Sequence, residues 1–179
     1  MVDIIEYKTL IDLREKSIFK DIVYLISLNL GQGYLSIKDI DKYLNKYSFV
    51  AINKNNVIGV VLSYIAGENE VVDTIALKNK TGVLKTIAVS DSWKGRGVGS
   101  SLVALSEKEM FSLVSDVMVP AWGYGDNVNI KNLLISFNYK YYKRVKGLWE
   151  KDCLNNCFSC PIKEENICSC FADIYIKKN

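Results

Sequence analysis

The chain has 179 residues, of which 49% are hydrophobic and 24% charged, and its formal net charge is +3. This length and apolar content predict one folded domain over residues 1–179, and the slight, scattered positive charge argues against a nucleic-acid partner. Because no apolar run has the length of a membrane span and the N-terminus lacks the basic residues of a signal peptide, we expect a cytoplasmic protein without membrane contact.

Apolar periodicity and turn residues predict alternating strands and helices. The first part of the chain predicts a strand, two helices and three strands, at residues 1–8, 11–30, 36–47, 48–53, 57–65 and 70–76. Ser36 and Asp39 have the spacing of a capping box, and Lys54-Asn55-Asn56 predicts a hairpin turn. The second part predicts strand, helix, strand, helix and two strands, at residues 84–89, 98–111, 116–122, 126–137, 139–149 and 171–177.

Three glycines follow the strand predicted at residues 84–89. Gly95, Gly97 and Gly99 alternate with larger residues at the start of the next helix. Glycine permits positive φ and lets a ligand approach the backbone, whose amides converge at the helix N-terminus. The pattern predicts a phosphate or pyrophosphate site, with a plain tight turn as the alternative. A dinucleotide-binding fold is disfavoured because such a motif normally lies at the start of its domain. A P-loop nucleotide site is excluded because the chain lacks that sequence pattern.

This stretch resembles the acyl-CoA-binding motif of the GNAT acetyltransferase superfamily. In that family an apolar strand ending in Val precedes the pattern Gln/Arg-x-x-Gly-x-Gly/Ala, and Lys94 takes the place of the Gln or Arg here. Trp93 stands at the family's common aromatic position. The resemblance implies an α/β fold with a twisted, mixed but mostly antiparallel sheet of about seven strands, flanked by about four helices. The predicted order of elements is that of the family.

The resemblance also implies acetyl-CoA as the co-substrate. Its pantetheine would pair with the backbone of Ile87, Ala88 and Val89, and its pyrophosphate would bind the glycine turn. The implied binding residues of that turn are Lys94, Gly95, Arg96, Gly97, Val98, Gly99 and Ser100. Many members of the family carry an Asn after the fifth strand, which corresponds to Asn127.

The catalytic side chains follow less directly. The chain has no histidine, so a general base must be a carboxylate, a tyrosine, a thiolate or water. Asp73 and Glu70, just before the motif strand, are candidates, with solvated surface charges as the plainer interpretation. The tyrosine that often protonates the CoA thiolate in the family is replaced by Leu134. Another tyrosine could protonate the thiolate instead, and the candidates are Tyr124, Tyr139 and Tyr141. The plainer interpretation of each is a half-buried packing residue.

All five cysteines fall within residues 153–170, between the last two predicted strands. A Cys-x-x-Cys pair and a Cys-x-Cys pair can offer four thiolates to one tetrahedral ion, as in structural zinc sites. Rubredoxin-type iron and ordinary thiols are the alternatives, while the odd count and a reducing compartment disfavour disulfides. With Trp122 and Phe137-Asn138-Tyr139, the cluster also resembles a bacterial GNAT subgroup. The predicted zinc ligands are Cys157, Cys160, Cys168 and Cys170, with Cys153 left over.

The sequence therefore predicts an acetyl-CoA-dependent N-acetyltransferase that acetylates an amine of a small molecule or peptide by direct attack. Two alternatives use the same scaffold. One is a non-catalytic acyl-CoA-binding protein, and the other is a zinc-knuckle interaction protein. Neither the acceptor nor the oligomeric state follows from the sequence.

Overall fold

The computed structural model describes residues 4–13, 16–150 and 169–179. The strands of these ranges are β1 (Glu6–Thr9), β2 (Phe49–Asn53), β3 (Asn56–Ala66), β4 (Val71–Val72), β5 (Ile75–Ala76), β6 (Thr81–Val89), β7 (Asp116–Tyr124), β8 (Asn127–Val128), β9 (Lys140–Lys146) and β10 (Cys170–Lys178). The α-helices are α1 (Lys16–Leu30), α2 (Ile37–Ile40), α3 (Val98–Phe111) and α4 (Lys131–Ser136).

One large sheet forms the centre of the molecule. Its strands lie in the order β1-β2-β3-β6-β7-β10-β9, with β8 paired to β7, and among these pairs only β6 and β7 run parallel. The mixed, mostly antiparallel sheet with four helices confirms the predicted fold class. No helix within the described ranges is long and apolar enough to cross a membrane.

Helices α1 and α3 cover opposite faces of the sheet. Successive side chains of a strand point to opposite faces, and β2 shows this alternation. Phe49 and Ala51 pack in the core cluster that contains α3, whereas Val50 and Ile52 pack in the cluster that contains α1. The two helices thus bury both faces of the central strands, which explains why every residue of β2 is buried.

Two short hairpins have turns that require positive φ. Lys54 and Asn55, with φ of 46° and 68°, join β2 to β3, and the predicted hairpin is therefore present with a two-residue loop. Asp73 and Thr74, with φ of 48° and 66°, join β4 to β5. The single strand predicted over residues 70–76 is thus wrong: this segment forms a separate two-stranded hairpin.

Several helices are shorter than their apolar patterns predict. Helix α1 begins at Lys16, after a single 3-10 turn at Leu10–Asp12. Helix α2 has one turn, and its cap is formed by the Asp39 carboxylate, which accepts from the Ser36 N–H at 2.9 Å. Bonds from Lys42 and Ser36 lower the pKa of Asp39 to about 2. Helix α4 starts only at residue 131, because β8 occupies part of the predicted helix.

Most of the cysteine-rich segment lies outside the described residues. Of the four predicted zinc ligands, only Cys170 is described, and it is buried at the first position of β10. The described residues contain no group of three or more side chains that could hold a metal ion. The zinc site therefore stays a prediction.

Candidate active site

A gap opens inside the sheet between β6 and β7. The two strands pair over three residues each, Thr81–Val83 with Asp116–Met118, and not beyond. A bulge follows in β6, where Leu84 and Thr86 face consecutive residues of β3, so that Lys85 is the extra residue. Pro120 of β7 lies two residues beyond the last of these pairs and has no N–H for a ladder hydrogen bond. The edges of β6 and β7 are therefore free to bind something else.

A cavity of ≈ 780 Å³ occupies this gap. Its walls come from β6, β7, the glycine turn, the first turn of α3, the end of α1, α4, and the segments after α1, β8 and β9. This volume is within the range typical of small-molecule and cofactor sites. The cavity runs along β6 from the glycine turn at one end to the bulge at the other.

The glycine turn has the geometry of an anion site. Gly95 and Gly97 have φ of +74° and +82°, and a Cβ atom added to either would meet nothing within 4 Å. The first intrahelical bond of α3 runs from Ser101 N–H to the Gly97 carbonyl, at 2.9 Å. The preceding amides of the first turn have no acceptor within the helix and carry the positive end of its dipole. This open turn leaves room for an anion, such as a pyrophosphate, beside these amides.

Most of the predicted binding residues line the cavity, namely Ile87, Val89, Lys94, Gly95, Gly97, Val98, Gly99 and Ser100. Three others lie differently. The Ala88 side chain packs in the core on the α1 side, while its backbone belongs to the β6 edge. The Arg96 guanidinium lies 5.2 Å from the centre of the Trp93 ring. Asn127 is exposed in β8 opposite Tyr124 and does not line the cavity.

The predicted catalytic residues do not meet in the cavity. Asp73 lies in the β4–β5 turn, where the Lys85 Nζ donates to both of its oxygens at 3.0 and 3.2 Å. Tyr124 stacks on Trp122, with ring centres 5.4 Å apart, but neither Tyr124 nor Asp73 lines the cavity. Tyr139 is buried elsewhere, and that burial, with the Glu107 carboxylate nearby, raises the pKa of its phenol.

No motif in the sequence marks several of the lining residues near the bulge. Lys85 belongs to β6 itself, whereas Asn29, Tyr34 and Trp149 come from distant segments. A usable signal was present for the gap itself, since a proline inside the β7 pattern indicates a strand edge without a donor. No such local signal exists for Tyr34 or Trp149, because only the tertiary fold brings them to β6.

Solved structures share the whole fold at low sequence identity. The NatC complex bound to Gag peptide and CoA has a chain with TM-score 0.71 and 20% identity, covering 98% of this chain and 98% of that one. Arabidopsis thaliana Naa50 with the bisubstrate analogue CoA-Ac-MVNAL has TM-score 0.66 and 11% identity, covering 98% and 99%. The ribosomal-protein-S18-alanine N-acetyltransferase from Escherichia coli has TM-score 0.64 and 11% identity, covering 98% and 94%.

The sequence itself carries the family assignment. No curated protein matches the chain. The family model described as "Acetyltransferase (GNAT) family" matches residues 24–121, which is more than half of the chain and includes α3, the glycine turn and both edges of the gap. The chain therefore belongs to the acetyltransferase (GNAT) family, a family of acyltransferases.

Proposed function

We propose that this protein is an acetyl-CoA-dependent N-acetyltransferase that acts on an amine of a small molecule or peptide. Family membership supports the class of reaction. The observation that carries the proposal is the continuous cavity from the anion-binding glycine turn to the gap between β6 and β7. Such a cavity can hold a long ligand with a phosphate end and a reactive end.

The proposed binding mode uses backbone groups for most contacts. The pyrophosphate would accept hydrogen bonds from the amides around Gly97. The pantetheine arm would then run along the β6 edge at Ile87–Val89, where alternate N–H and C=O groups face the gap because β7 no longer pairs there. This places the thioester close to the bulge, where the acceptor enters.

The proposed chemistry is direct transfer. The neutral amine nitrogen attacks the thioester carbonyl, a C–N bond forms, and the C–S bond breaks with its electron pair on sulfur. A backbone N–H near Ala88 would stabilise the oxyanion. No carboxylate of the described residues lines the cavity, whereas Tyr34 does, so we assign the transfer of the amine proton to water or to the Tyr34 phenol.

A pair of isosteric substitutions tests the glycine turn. Gly97→Asp and Gly97→Asn add side chains of the same size and the same positive-φ strain, but only Asp adds a negative charge. We expect Gly97→Asp to weaken acetyl-CoA binding by about 100-fold or more, since juxtaposed like charges cost several kcal/mol. Gly97→Asn should weaken it less. Isothermal titration calorimetry measures the affinities, and the melting temperatures show whether both variants fold.

Equal affinities for the two variants would contradict the anion site. Turnover is tested separately, by following CoA thiol release with acetyl-CoA and a panel of amines that includes amino acids, amino-acid amides, diamines and short peptides. Release that depends on the amine, with the acetylated product identified by mass, is the expected result.

One observation favours a second candidate, a non-catalytic acyl-CoA-binding protein. Asp73 is held in an ion pair with Lys85, and Tyr124 lies outside the cavity, so neither predicted catalytic side chain faces a bound thioester. Tight acetyl-CoA binding without thiol release on any amine of the panel would select this candidate and exclude the enzyme.

We also propose that Cys157, Cys160, Cys168 and Cys170 bind a structural zinc ion. The support is chemical, because four thiolates in two close pairs match the closed ligand set of structural zinc. Cys170 begins β10, so such a site would lie beside the last strand. The purified protein should contain one equivalent of zinc, and Cys157→Ser with Cys160→Ser should remove it and lower the melting temperature. Unchanged metal content would refute the site.

A further inference from the structure

We propose that Lys85 binds an anionic group of the acceptor, so that the amine substrate carries a carboxylate close to the nitrogen that is acetylated. This inference rests on the proposed function and names the chemical class of its acceptor. An amino acid or a peptide with an acidic residue next to its free amine would present this arrangement.

The distribution of charge in the cavity carries the first step. Among the described lining residues the charged side chains are Lys94 and Lys85, and none is acidic. Lys94 lies at the glycine turn, where it also contacts Asp91 at 2.6 Å. Lys85 lies at the other end, four residues before the end of β6, or about 13 Å along the strand. Because no acidic side chain of the described residues lines the cavity, an acceptor with a second ammonium group would find no carboxylate partner on the cavity wall, which disfavours diamines and polyamines.

The ion pair with Asp73 positions the ammonium group without hiding it. Lys85 donates to both Asp73 oxygens, and the two side chains are 22% and 13% exposed. Lys85 belongs to the cavity wall and Asp73 does not, so the pair contributes its lysine, and not its carboxylate, to the lining. An ammonium has three N–H groups, and the two contacts to Asp73 leave at least one for the acceptor.

The β4–β5 turn contains a residue in an unfavourable backbone conformation. Thr74 has φ of 66°, a conformation that is unfavourable for a β-branched residue and costs about 1–3 kcal/mol. This turn holds Asp73 against the bulge residue Lys85. Strained turns and bulges are both concentrated next to functional sites, where they re-aim side chains.

The same end of the cavity offers aromatic walls. Tyr34, Trp122 and Trp149 line it and belong to the hydrophobic cluster that also contains the residues flanking the Asp73 turn, Val72 and Ile75. Lys85 is two residues, or about 6–7 Å along the strand, before Ile87, where the proposed path of the pantetheine arm along β6 ends. The site thus fits an amine, a carboxylate a few bonds away, and an apolar side chain.

Matched pairs of acceptors test the charge requirement. L-leucine and leucinamide differ by the α-carboxylate, and the amides of Met-Glu and Met-Gln differ by an acidic side chain. We expect kcat/KM, measured by thiol release, to favour the acidic member of one pair by about 10- to 100-fold, the typical effect of a charged hydrogen bond. The first pair identifies an α-carboxylate, and the second an acidic second residue.

Substitution of Lys85 tests whether this side chain causes the preference for the acidic acceptor. Lys85→Met should abolish the preference, and Lys85→Arg should retain part of it. Because Lys85→Met leaves Asp73 without its partner, Lys85→Met with Asp73→Asn serves as the second variant if the first one does not fold. Acetyl-CoA affinity is measured in parallel to show that the cavity is intact.

Two results would overturn the proposal: equal rates within both acceptor pairs, or a preference that survives Lys85→Met. If acetyl-CoA binds but no amine is acetylated, the proposed enzyme fails while this site can still be measured. The CoA-saturated protein is then titrated with N-acetyl-leucine and N-acetyl-leucinamide. Tighter binding of the acid that is lost in Lys85→Met supports the anion site, and equal binding refutes it.

Discussion

Gly59 shows how a single missing side chain positions the binding site. It lies in β3 opposite Val89, and a Cβ atom added there would approach Val98 Cγ1 to 2.8 Å and Leu102 Cδ1 to 3.0 Å. Only glycine therefore lets α3 pack this close to the sheet. Because Val98 is the first residue of α3, the same contact sets the position of the helix N-terminus and of the glycine turn before it.

We therefore expect Gly59→Ala to reduce both stability and acetyl-CoA affinity. Overpacking of this kind costs about 1–3 kcal/mol in the free energy of unfolding, which urea titration measures. Gly67→Ala is the matched control, since an added Cβ there meets only Glu70 Oε2, at 3.7 Å. A Gly59→Ala protein as stable as the control would mean that α3 shifts freely, against this account.

At the scale of elements, helix α3 was predicted with both of its observed bounds. Gly97 starts it with positive φ, and its apolar positions are buried against β2, β3, β6 and β7. The glycine turn is predictable for the same reason, because the positive φ that it needs falls on Gly95 and Gly97, which are glycines two positions apart. In α3 and the glycine turn, the local sequence pattern and the tertiary packing favour the same structure.

Elements without such signals were predicted poorly. The β4–β5 turn contains Asp73 and Thr74 rather than glycine or asparagine. Residues 70–76 therefore lack the usual sequence signal of a turn, and their apolar residues predict one continuous strand. Helix α4 shortens because Asn127 and Val128 pair with the end of β7 instead of joining the helix. In both cases tertiary contacts override the local pattern.

The same limit applies to the site. The residues that bind the phosphate end come from one stretch of sequence and can be predicted together. The residues at the acceptor end come from α1, β6, β7 and the segment after β9, and no local pattern joins Tyr34 to Lys85. In the proposed enzyme, specificity would thus depend on the part of the cavity that is least predictable from the sequence.

At the scale of the whole molecule, one buried ion pair joins α3 to the C-terminal strand. The Lys177 Nζ lies 2.7 Å from Glu107 Oε2, and the side chains are 22% and 7% exposed. The same ammonium lies 5.5–5.7 Å from the ring centres of Phe111, Phe137 and Tyr139. This contact links the two halves of the chain on the α3 side of the sheet.

Removing the cation should be costly because Glu107 would stay buried without its partner. We expect Lys177→Met to lower the free energy of unfolding by about 3 kcal/mol, the lower end of the effect of breaking a buried pair. Adding Glu107→Gln should recover part of this loss, since the double variant has no buried charge at the site. Chemical denaturation of both variants measures it, and additive losses would contradict a coupled pair.

The interrupted pairing of β6 and β7 has a further consequence for the catalytic cycle. In the described part of the chain, three residue pairs join β1-β2-β3-β6 to β7-β10-β9 within the sheet. In the proposed complex the pantetheine arm lies in the gap and hydrogen-bonds along β6, so the co-substrate takes the place of a missing strand. Each arrival of acetyl-CoA would then complete the sheet, and each departure of CoA would interrupt it again.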